Sequence, residues 1–296
     1  MISETAPLIV VGLGEVVWDL FPSGRRLGGA PANVAYHATM LGERGVLASR
    51  VGLDALGDQA VARLKQHGVD VGAVQRDAQH STGTVEVTFE AGTPRFAIDG
   101  AAAWTRPDWT DAWAEILSRA AAICFGTVLQ AFPAGRAVLQ RAMAVAPRDA
   151  LRLLDVNLRP PFDTAEAIES ALEAANAVKL DEEEARTIGR RYGTSDPAGW
   201  LIERRGMRAV AITRAESGSV LFTAAGSDEQ PGLPTESPHP EADPVGAGDA
   251  FTAAMACQLA RGHSPAQTNA AANRYAAYVA SQPGAMPPVP PEIRGL

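Results

Sequence analysis

The chain has 296 residues, of which 46% are hydrophobic and 20% are charged, a composition typical of a globular protein with a sizeable core. A formal net charge of -8, without a compact basic patch, argues against a nucleic-acid partner. No apolar run reaches the length of a membrane span and no secretory signal is visible, so we expect a cytoplasmic protein with no membrane partner. The two cysteines, Cys124 and Cys257, lie in apolar runs and are expected to be buried thiols.

Apolar strand patterns alternate with helical patterns along most of the chain. The predicted strand–helix pairs are 8–13 with 31–41, 48–51 with 58–67, 122–125 with 135–146, 151–156 with 165–175, and 177–180 with 182–191. A strand at 209–213, a hairpin-like strand at 219–222 and two long helices at 248–261 and 265–281 follow. This alternation predicts an α/β fold, in which helices cover both faces of a mostly parallel sheet.

One segment departs from this alternation. Residues 82–89 and 95–98 alternate apolar and polar side chains on either side of a turn at 90–93, which is the pattern of a β-hairpin. Such a hairpin could serve as a lid or an interface, or it could simply extend a sheet. The pattern does not decide between these roles.

The most informative motif lies just before the first long C-terminal helix. It runs from Asp243 through Gly246, Ala247 and Gly248 to Asp249. Two glycines at a helix start predict a tight turn with free N–H groups, which together with the helix dipole form an anion site. A carboxylate at the edge of that site could accept the hydroxyl proton during phosphoryl transfer to an alcohol. The alternative is that Asp249 only complements the dipole and that the glycines only turn the chain.

A second polar group is predicted near the N-terminus. Asp19 is expected just beyond the end of the first strand, and Gly28 and Gly29 precede a helix whose first turn presents Asn33. Because ligands of parallel sheets bind at the carboxyl ends of the strands, Asp19 and Asn33 can converge on one polyhydroxylated ligand. Asn33 taken alone is more typical of a helix-start residue than of a ligand contact.

Motifs distributed over nearly the whole chain resemble those of the ribokinase/PfkB family of sugar kinases, and within it those of the fructokinases. They are 28–35 (GGAPANVA), 82–85 (TGTV), 125–127 (FGT), 155–161 (DVNLRPP), 243–249 (DPVGAGD) and 281–285 (SQPGA). The resemblance implies a ribokinase-like, doubly wound sheet in a single domain over residues 1–296, with a lid formed by about 82–104. It also implies a homodimer paired through that lid.

The resemblance implies roles for the two polar groups. Asp249 corresponds to the catalytic base, and the backbone of Gly246, Ala247 and Gly248 corresponds to the anion hole. The sugar-binding positions of the family correspond to Asp19, Gly29, Asn33 and, in the fructokinase-like branch, Arg159. Arg159 could instead form a salt bridge with a neighbouring acid.

ATP and Mg²⁺ are the cofactors that the resemblance implies. The nucleotide positions correspond to Thr213, Gly218 and Asn273, and Ala215 stands where the family usually has glycine. Glu184 corresponds to the residue that orients magnesium-bound waters. Asp181 replaces the usual asparagine of that motif and could act only as a helix cap.

Two further points follow from the family pattern. A monovalent cation such as K⁺ would use Asp243 and the carbonyls near 281–285. The small-molecule substrate predicted first is fructose, phosphorylated at a primary hydroxyl. A 2-keto-3-deoxy sugar acid is the alternative, because Arg159 could pair with a carboxylate. Ala131 stands where fructokinases often carry a basic residue, which weighs against fructose.

Other protein classes fit the sequence less well. Residues 10–14 imitate a dinucleotide fingerprint, but Val17 stands where a small third residue is needed, and the motif at 243–249 stays unexplained by an oxidoreductase. No Walker-type phosphate loop occurs, and the five histidines show no metal-ligand spacing. A non-catalytic, sugar-binding regulator on the same fold is the remaining alternative.

Overall fold

The structure is a computed structural model that describes residues 6–22, 24–90, 93–234 and 238–294. Its strands are β1 (Ile9–Leu13), β2 (Val17–Phe21), β3 (Gly24–Gly28), β4 (Arg44–Gly52), β5 (Val74–Asp77), β6 (Gly83–Glu90), β7 (Thr93–Ile98), β8 (Ala122–Gly126), β9 (Leu151–Asp155), β10 (Ala177–Asp181), β11 (Ala209–Thr213), β12 (Ser219–Thr223) and β13 (Gly226–Gln230). Its helices are α1 (Ala30–Met40), α2 (Ala55–Gln66), α3 (Asp111–Leu117), α4 (Pro133–Val145), α5 (Ala165–Ala174), α6 (Glu182–Tyr192), α7 (Pro197–Arg205), α8 (Ala247–Ala260), α9 (Pro265–Ala280) and α10 (Pro291–Arg294).

Nine strands form the large sheet, in the order β13–β12–β11–β10–β9–β8–β1–β4–β5. The pairs from β11 through β1 to β5 are parallel, and β12 and β13 add an antiparallel edge. The chain builds outward from β1 through β4 to β5, and then begins again on the other side of β1 with β8. This reversal of strand order leaves a crevice at the carboxyl ends of β1 and β8, where α/β proteins bind ligands.

Helices cover both faces of this sheet, as the alternating pattern predicts. One face of the sheet packs against α1, α8 and α9 through a core that includes Val10, Leu153 and Phe251. The opposite face packs against α3 to α7 through side chains such as Val11 and Ile123. The odd and even residues of β1 therefore enter different cores, which explains its continuous apolar sequence. Cys124 and Cys257 are buried free thiols, as expected.

A separate four-stranded sheet, in the order β3–β2–β6–β7, lies beside the large one. The predicted hairpin is confirmed as β6 and β7, although residues 91 and 92 of its turn lie outside the described residues. The other two strands of this small sheet, β2 and β3, were not predicted. Asp19 is therefore not beyond the end of a strand, as we expected, but in the middle of β2, where it pairs with Val85 of β6.

Some predicted boundaries shift by a few residues. The predicted strand at 48–51 extends over the whole of β4 and is the fourth strand of the chain. The proline-rich segment 287–290 leads into the short helix α10. Within the described ranges, no helix is both long and apolar enough to span a bilayer.

Candidate active site

A cavity of about 820 Å³ opens at the carboxyl ends of the central strands, between the two sheets. The side chains and glycines to which the sequence assigned a site role line it, whereas residues 281–285, expected to supply carbonyls to a cation, do not. The lining residues are Asp19, Gly29, Asn33, Arg159, Glu184, Thr213, Gly218, Asp243, Gly246, Ala247, Gly248, Asp249 and Asn273. They come from six strands and helices and the loops between them, so the fold gathers in one place what the sequence distributes over 250 residues.

The first turn of α8 lies at the centre of the cavity. Gly246 caps the helix with a φ of 82°, and a Cβ there would lie 2.6 Å from the Cα of Ala285. The glycine is therefore required both by the left-handed backbone and by the close approach of the neighbouring loop. After Gly246, the N–H of Ala247 donates to the carbonyl of Pro244 over 3.2 Å, and the N–H groups of Gly248 and Asp249 at the helix start are the donors that the predicted anion cradle would use. Gly248, in contrast, has ordinary helical backbone, so our expectation that both glycines serve the turn is wrong for Gly248.

Asp249 is held by a contact with the first turn of α1. Asn33 Nδ2 donates a hydrogen bond to Asp249 Oδ2 over 2.6 Å. Burial, followed by the negative charge of Asp155, raises the pKa of Asp249 to about 6, against the opposing effects of Asn33 and Lys179. A carboxylate with this pKa is ionised at neutral pH and is a stronger base than an exposed aspartate.

The end of the cavity nearest α1 is acidic. Burial raises the pKa of Glu15 to about 7, and burial together with the charge of Asp249 raises the pKa of Asp19 to about 6. Arg159 opposes both shifts with its positive charge and donates a hydrogen bond to the carbonyl of Leu158 over 2.8 Å. Among these, Glu15 was missed by the sequence analysis, although it lies two residues after the end of β1, where a polar residue is a signal.

Two buried acceptors at this end have no hydrogen-bond partner among the described residues. They are Glu15 Oε2 and Asn33 Oδ1. A buried acceptor without a donor costs free energy unless a ligand or water supplies one. This end of the cavity therefore suits a ligand rich in hydroxyl groups.

An apolar wall faces the acidic residues. It consists of Val17 and Val85 from the small sheet together with Ile98, Trp104 and Val128, all of which line the cavity. Two strands of the small sheet, β2 and β6, thus contribute both a carboxylate and an apolar surface to the same end. Sugar rings present hydroxyl edges and apolar C–H faces, which match these two surfaces.

Glu184 and Asp181 form a capping box at the start of α6. The backbone N–H of Glu184 donates to Asp181 Oδ1, and the backbone N–H of Asp181 donates to Glu184 Oε2, each over 2.8 Å. The other carboxylate oxygen, Glu184 Oε1, accepts from the backbone N–H of Leu158 over 2.9 Å. The cap role that we considered for Asp181 is therefore present. Burial raises the pKa of Glu184 above its usual value.

The positions predicted to bind the nucleotide, Thr213, Gly218 and Asn273, also line the cavity. Gly218 has a φ of 93°, and a Cβ there would lie 2.1 Å from the carbonyl oxygen of Gln230. Asn273 Nδ2 donates to the carbonyl of Pro231 over 2.7 Å. Ala215, where the family pattern has glycine, adopts a left-handed φ of 46°. The backbone has thus kept a glycine-like conformation even though the residue carries a Cβ.

Asp243 is engaged by an arginine of the small sheet. Arg26 Nη1 lies 2.5 Å from Asp243 Oδ2, and the N–H of Val245 donates to Asp243 Oδ1 over 3.1 Å. The N–H of Gly284 also approaches Asp243 Oδ2, at 3.3 Å. The loops 243–249 and 281–285 are therefore adjacent, as the cation hypothesis required, but a guanidinium group already pairs with the carboxylate.

Lys179 of β10 was also missed by the sequence analysis. Its ammonium group lines the cavity and lies 3.0 Å from Asp155 Oδ1. Thr252 Oγ1 donates to the other oxygen, Asp155 Oδ2, over 2.7 Å. A single lysine inside an apolar strand pattern gives no sequence signal of a site, so only the tertiary structure shows that Lys179 lies at the cavity.

Comparison with known proteins identifies the family. The model of the pfkB family of carbohydrate kinases matches residues 16–292. The chain belongs to the pfkB family of carbohydrate kinases. The predicted resemblance is thus confirmed, and the family motif residues Gly246 to Asp249 and Asp181 to Glu184 lie at the starts of α8 and α6.

The chain is similar in sequence to a protein named fructokinase and similar in fold to solved kinase structures. It is 30% identical over 276 residues to the fructokinase of Salmonella typhimurium, covering 87% of this chain and 86% of that protein. A sugar kinase of Pyrococcus horikoshii, solved in complex with ATP, superposes with a TM-score of 0.77 at 25% identity, over 95% of this chain and 94% of the other. The 2-dehydro-3-deoxygluconokinase of Thermotoga maritima reaches a TM-score of 0.82 at 18% identity, over 98% and 97%, which shows a shared fold.

Proposed function

We propose that this protein transfers the γ-phosphoryl group of ATP to a hydroxyl group of a sugar, with Asp249 as the base. The observation that supports this most directly is the position of Asp249, a buried carboxylate in the same helical turn as the anion cradle. One end of the cavity carries unpaired acceptors for hydroxyl groups, and the predicted nucleotide positions line the same cavity. The P. horikoshii kinase, similar over nearly its whole length, is a precedent for ATP.

The proposed transfer is a direct displacement. Asp249 accepts the proton of the sugar hydroxyl, whose oxygen forms a bond to the γ-phosphorus of ATP. The bond from that phosphorus to the bridging oxygen breaks, and its electron pair stays on the β-phosphate of ADP. The N–H groups after Gly246 neutralise charge on the transferring group, and the proton leaves Asp249 to solvent after the products depart.

Magnesium fits this site only as an ion shared with the nucleotide. Among the described residues, no group of three or more His, Cys, Asp and Glu side chains could hold a metal ion by itself. Mg²⁺ in kinase sites is held mainly by phosphates and waters, with one or two carboxylates. Glu184 lines the cavity and could hold such waters, since each of its oxygens accepts only one backbone hydrogen bond. The ion would neutralise phosphate charge.

Fructose is the substrate that we propose first. Acceptors at Glu15, Asp19 and Asn33 suit a neutral polyol, and a relative that covers most of the chain is named fructokinase. The alternative is a 2-keto-3-deoxy sugar acid, because Arg159 lines the same end and could pair with a carboxylate. The surplus of carboxylates over cations at this end favours the neutral sugar, since an anionic one would be repelled.

We further propose that the small sheet acts as a lid and that it pairs two copies of the chain. Its strand β2 supplies Asp19 and Val17 to the cavity, so closure would both bind the sugar and exclude water that competes for the phosphoryl group. The lid therefore includes residues 17–28 in addition to the predicted 82–104. The dimeric state of the protein is testable by sedimentation at assay concentrations, where a monomer would contradict the pairing.

We also propose a cytoplasmic location, where an enzyme that consumes ATP would work.

The test is a kinase assay on a panel of acceptors. We would measure ADP release with ATP and magnesium on fructose, ribose, 2-keto-3-deoxygluconate, a nucleoside and a sugar phosphate, with Asp249→Asn as the control. Turnover of one acceptor that disappears in the variant supports the proposal and names the substrate. Sugar binding without any turnover would instead support a non-catalytic regulator on the same fold.

A further inference from the structure

The feature that carries this inference is a lysine buried beside the anion cradle. We infer that Lys179 is a further catalytic residue of the proposed kinase, whose ammonium group donates hydrogen bonds to the phosphoryl group during its transfer. The inference rests on the proposed function. Lys179 is only 7% exposed, and that small exposed surface lines the cavity together with the first turn of α8.

The position of the ammonium group explains the second glycine of the motif. A Cβ on Gly248 would lie 3.1 Å from Lys179 Nζ, tighter than most real contacts of a Cβ atom. Gly248 has ordinary helical backbone, so its conformation does not require glycine. The missing side chain instead leaves room for the ammonium group against the helix. Lys179 and the N–H groups of α8 thus border the same space.

A polar network anchors Lys179 from behind. Asp155 Oδ1 lies 3.0 Å from Lys179 Nζ, and Asp155 Oδ2 accepts a hydrogen bond from Thr252. Thr252 Oγ1 also lies 3.0 Å from the carbonyl oxygen of Gly248, which ties the network to α8. Asp155 is buried behind the cavity wall, whereas Lys179 lines it. The pair therefore presents its positive end to the cavity.

The surroundings keep Lys179 protonated. Burial acts to lower its pKa, but the charges of Asp155 and Glu184 outweigh it and raise the pKa above its usual value. A protonated lysine is a hydrogen-bond donor and not a base, which suits contact with phosphate oxygens. Stability alone does not explain the pair, because a buried ion pair contributes little compared with apolar residues of the same size.

The composition of the chain adds a second argument. Its 26 basic residues are 24 arginines and two lysines, Lys65 and Lys179. Lysine therefore stands at position 179 in a chain that otherwise uses arginine almost everywhere. A lysine carries a compact charge with three rotatable donors on a thin stem, whereas a guanidinium group is planar and its donors are fixed in a fork.

In the transfer step, charge is spread over the three equatorial oxygens of the phosphoryl group. One N–H of Lys179 is used by Asp155, and the others can follow those oxygens from ATP to the sugar. Removing one such preorganised donor typically lowers turnover by about 10²–10³-fold. We expect that loss in Lys179→Met, with sugar binding measured by calorimetry changed less than about threefold, since Lys179 acts at the phosphoryl group.

The two lysines allow a matched control and a direct readout. Lys65→Met removes the only other lysine, on the surface of α2, and should retain wild-type turnover. Protein labelled with ¹⁵N in lysine gives two ammonium resonances, which the Lys65 variant assigns. On addition of a non-hydrolysable ATP analogue with magnesium and fructose, the Lys179 resonance should shift and the Lys65 resonance should not. This readout needs no turnover and no variant at position 179.

The outcomes separate the inference from the proposed function. If Lys179→Met is folded by thermal melting and has wild-type kcat, the inference is wrong and the kinase proposal stands. An unmoved Lys179 resonance, with nucleotide shown to be bound by calorimetry, would overturn it in the same way. If the wild-type protein phosphorylates no acceptor of the panel, the proposed function fails first, and the catalytic role of Lys179 fails with it.

Discussion

Asn33 Nδ2 lies 2.6 Å from Asp249 Oδ2, although the two residues are 216 positions apart. The contact joins the first turns of α1 and α8, which cover the same face of the large sheet. It fixes one carboxylate oxygen and leaves the other for a substrate hydroxyl. Asn33 thus orients the proposed base as well as lining the sugar end of the cavity.

The substitution Asp249→Asn removes the proposed base while keeping the contact with Asn33. We expect kcat to fall by roughly 10²–10⁴-fold and the dissociation constant of the sugar to stay nearly unchanged. The measurements are steady-state kinetics and a calorimetric titration of the sugar. An equal loss of turnover and of sugar binding would show that Asp249 only shapes the site.

The same substitution should stabilise the protein. The pKa of Asp249 rises from 3.8 to about 6 on folding, so ionising it in the folded state costs about 3 kcal/mol at neutral pH. Below the pKa of Asp249 in the unfolded state, the carboxyl group is protonated in both states and this cost is absent. Above its pKa in the folded state, the group is ionised in both states and the cost is complete. We therefore expect the advantage of Asp249→Asn in free energy of unfolding to grow between pH 4 and 6 and then to level off. Urea unfolding at several pH values measures it, and a constant difference would contradict the shift.

The raised pKa of Asp249 also predicts how activity depends on pH: activity should fall as the pH falls. Only ionised Asp249 can accept the hydroxyl proton, so kcat/KM should fall about tenfold per pH unit below about 6. Glu15 and Asp19 also have raised pKa values, so the profile reports the apparent pKa values of the group together. A profile that stays flat down to pH 5 would show that the base titrates as an exposed aspartate.

The ion pair of Arg26 with Asp243 makes a prediction about monovalent cations. Because the guanidinium group already pairs with the expected cation ligand, replacing sodium by potassium should change wild-type kcat by less than about twofold. Arg26→Gln frees the carboxylate, and potassium should then activate. The pair is partly exposed, so the variant should lose no more than about 1 kcal/mol of stability. Strong potassium activation of the wild-type protein would show that the cation and Arg26 do not compete.

Ala215 offers a test of local backbone strain. Its left-handed φ of 46° costs an L-residue about 1 kcal/mol, which glycine does not pay. Glycine also gains entropy in the unfolded chain, so we expect Ala215→Gly to leave stability unchanged or raised by up to about 1 kcal/mol. Ala137→Gly, on the exposed side of α4, is the matched control and should destabilise by about 1 kcal/mol. Equal destabilisation of both variants would contradict the strain.

Much of the fold could be predicted because it follows from local patterns. The period of apolar residues marks most strands and helices, and glycine at 246 marks the start of α8. Strand β3 was missed because it reads Gly-Arg-Arg-Leu-Gly, which lacks an apolar face, whereas β2 was missed although four of its five residues are apolar. Strand β2 is held between β3 and β6, and β3 is held by its pairing with β2, which no local pattern reports.

The sequence by itself determined the α/β class, the family and the glycine turn that places Asp249 at the start of α8, since each strand, helix and motif is a local pattern of residues close together in the chain. The tertiary structure alone decided that Asn33 orients Asp249, that Arg26 pairs with Asp243, and that Lys179 occupies the space left by Gly248. Each of these contacts joins residues at least 69 positions apart. Their formation depends on the order of strands in the sheet, and that order is fixed by packing of the whole core and not by any local segment.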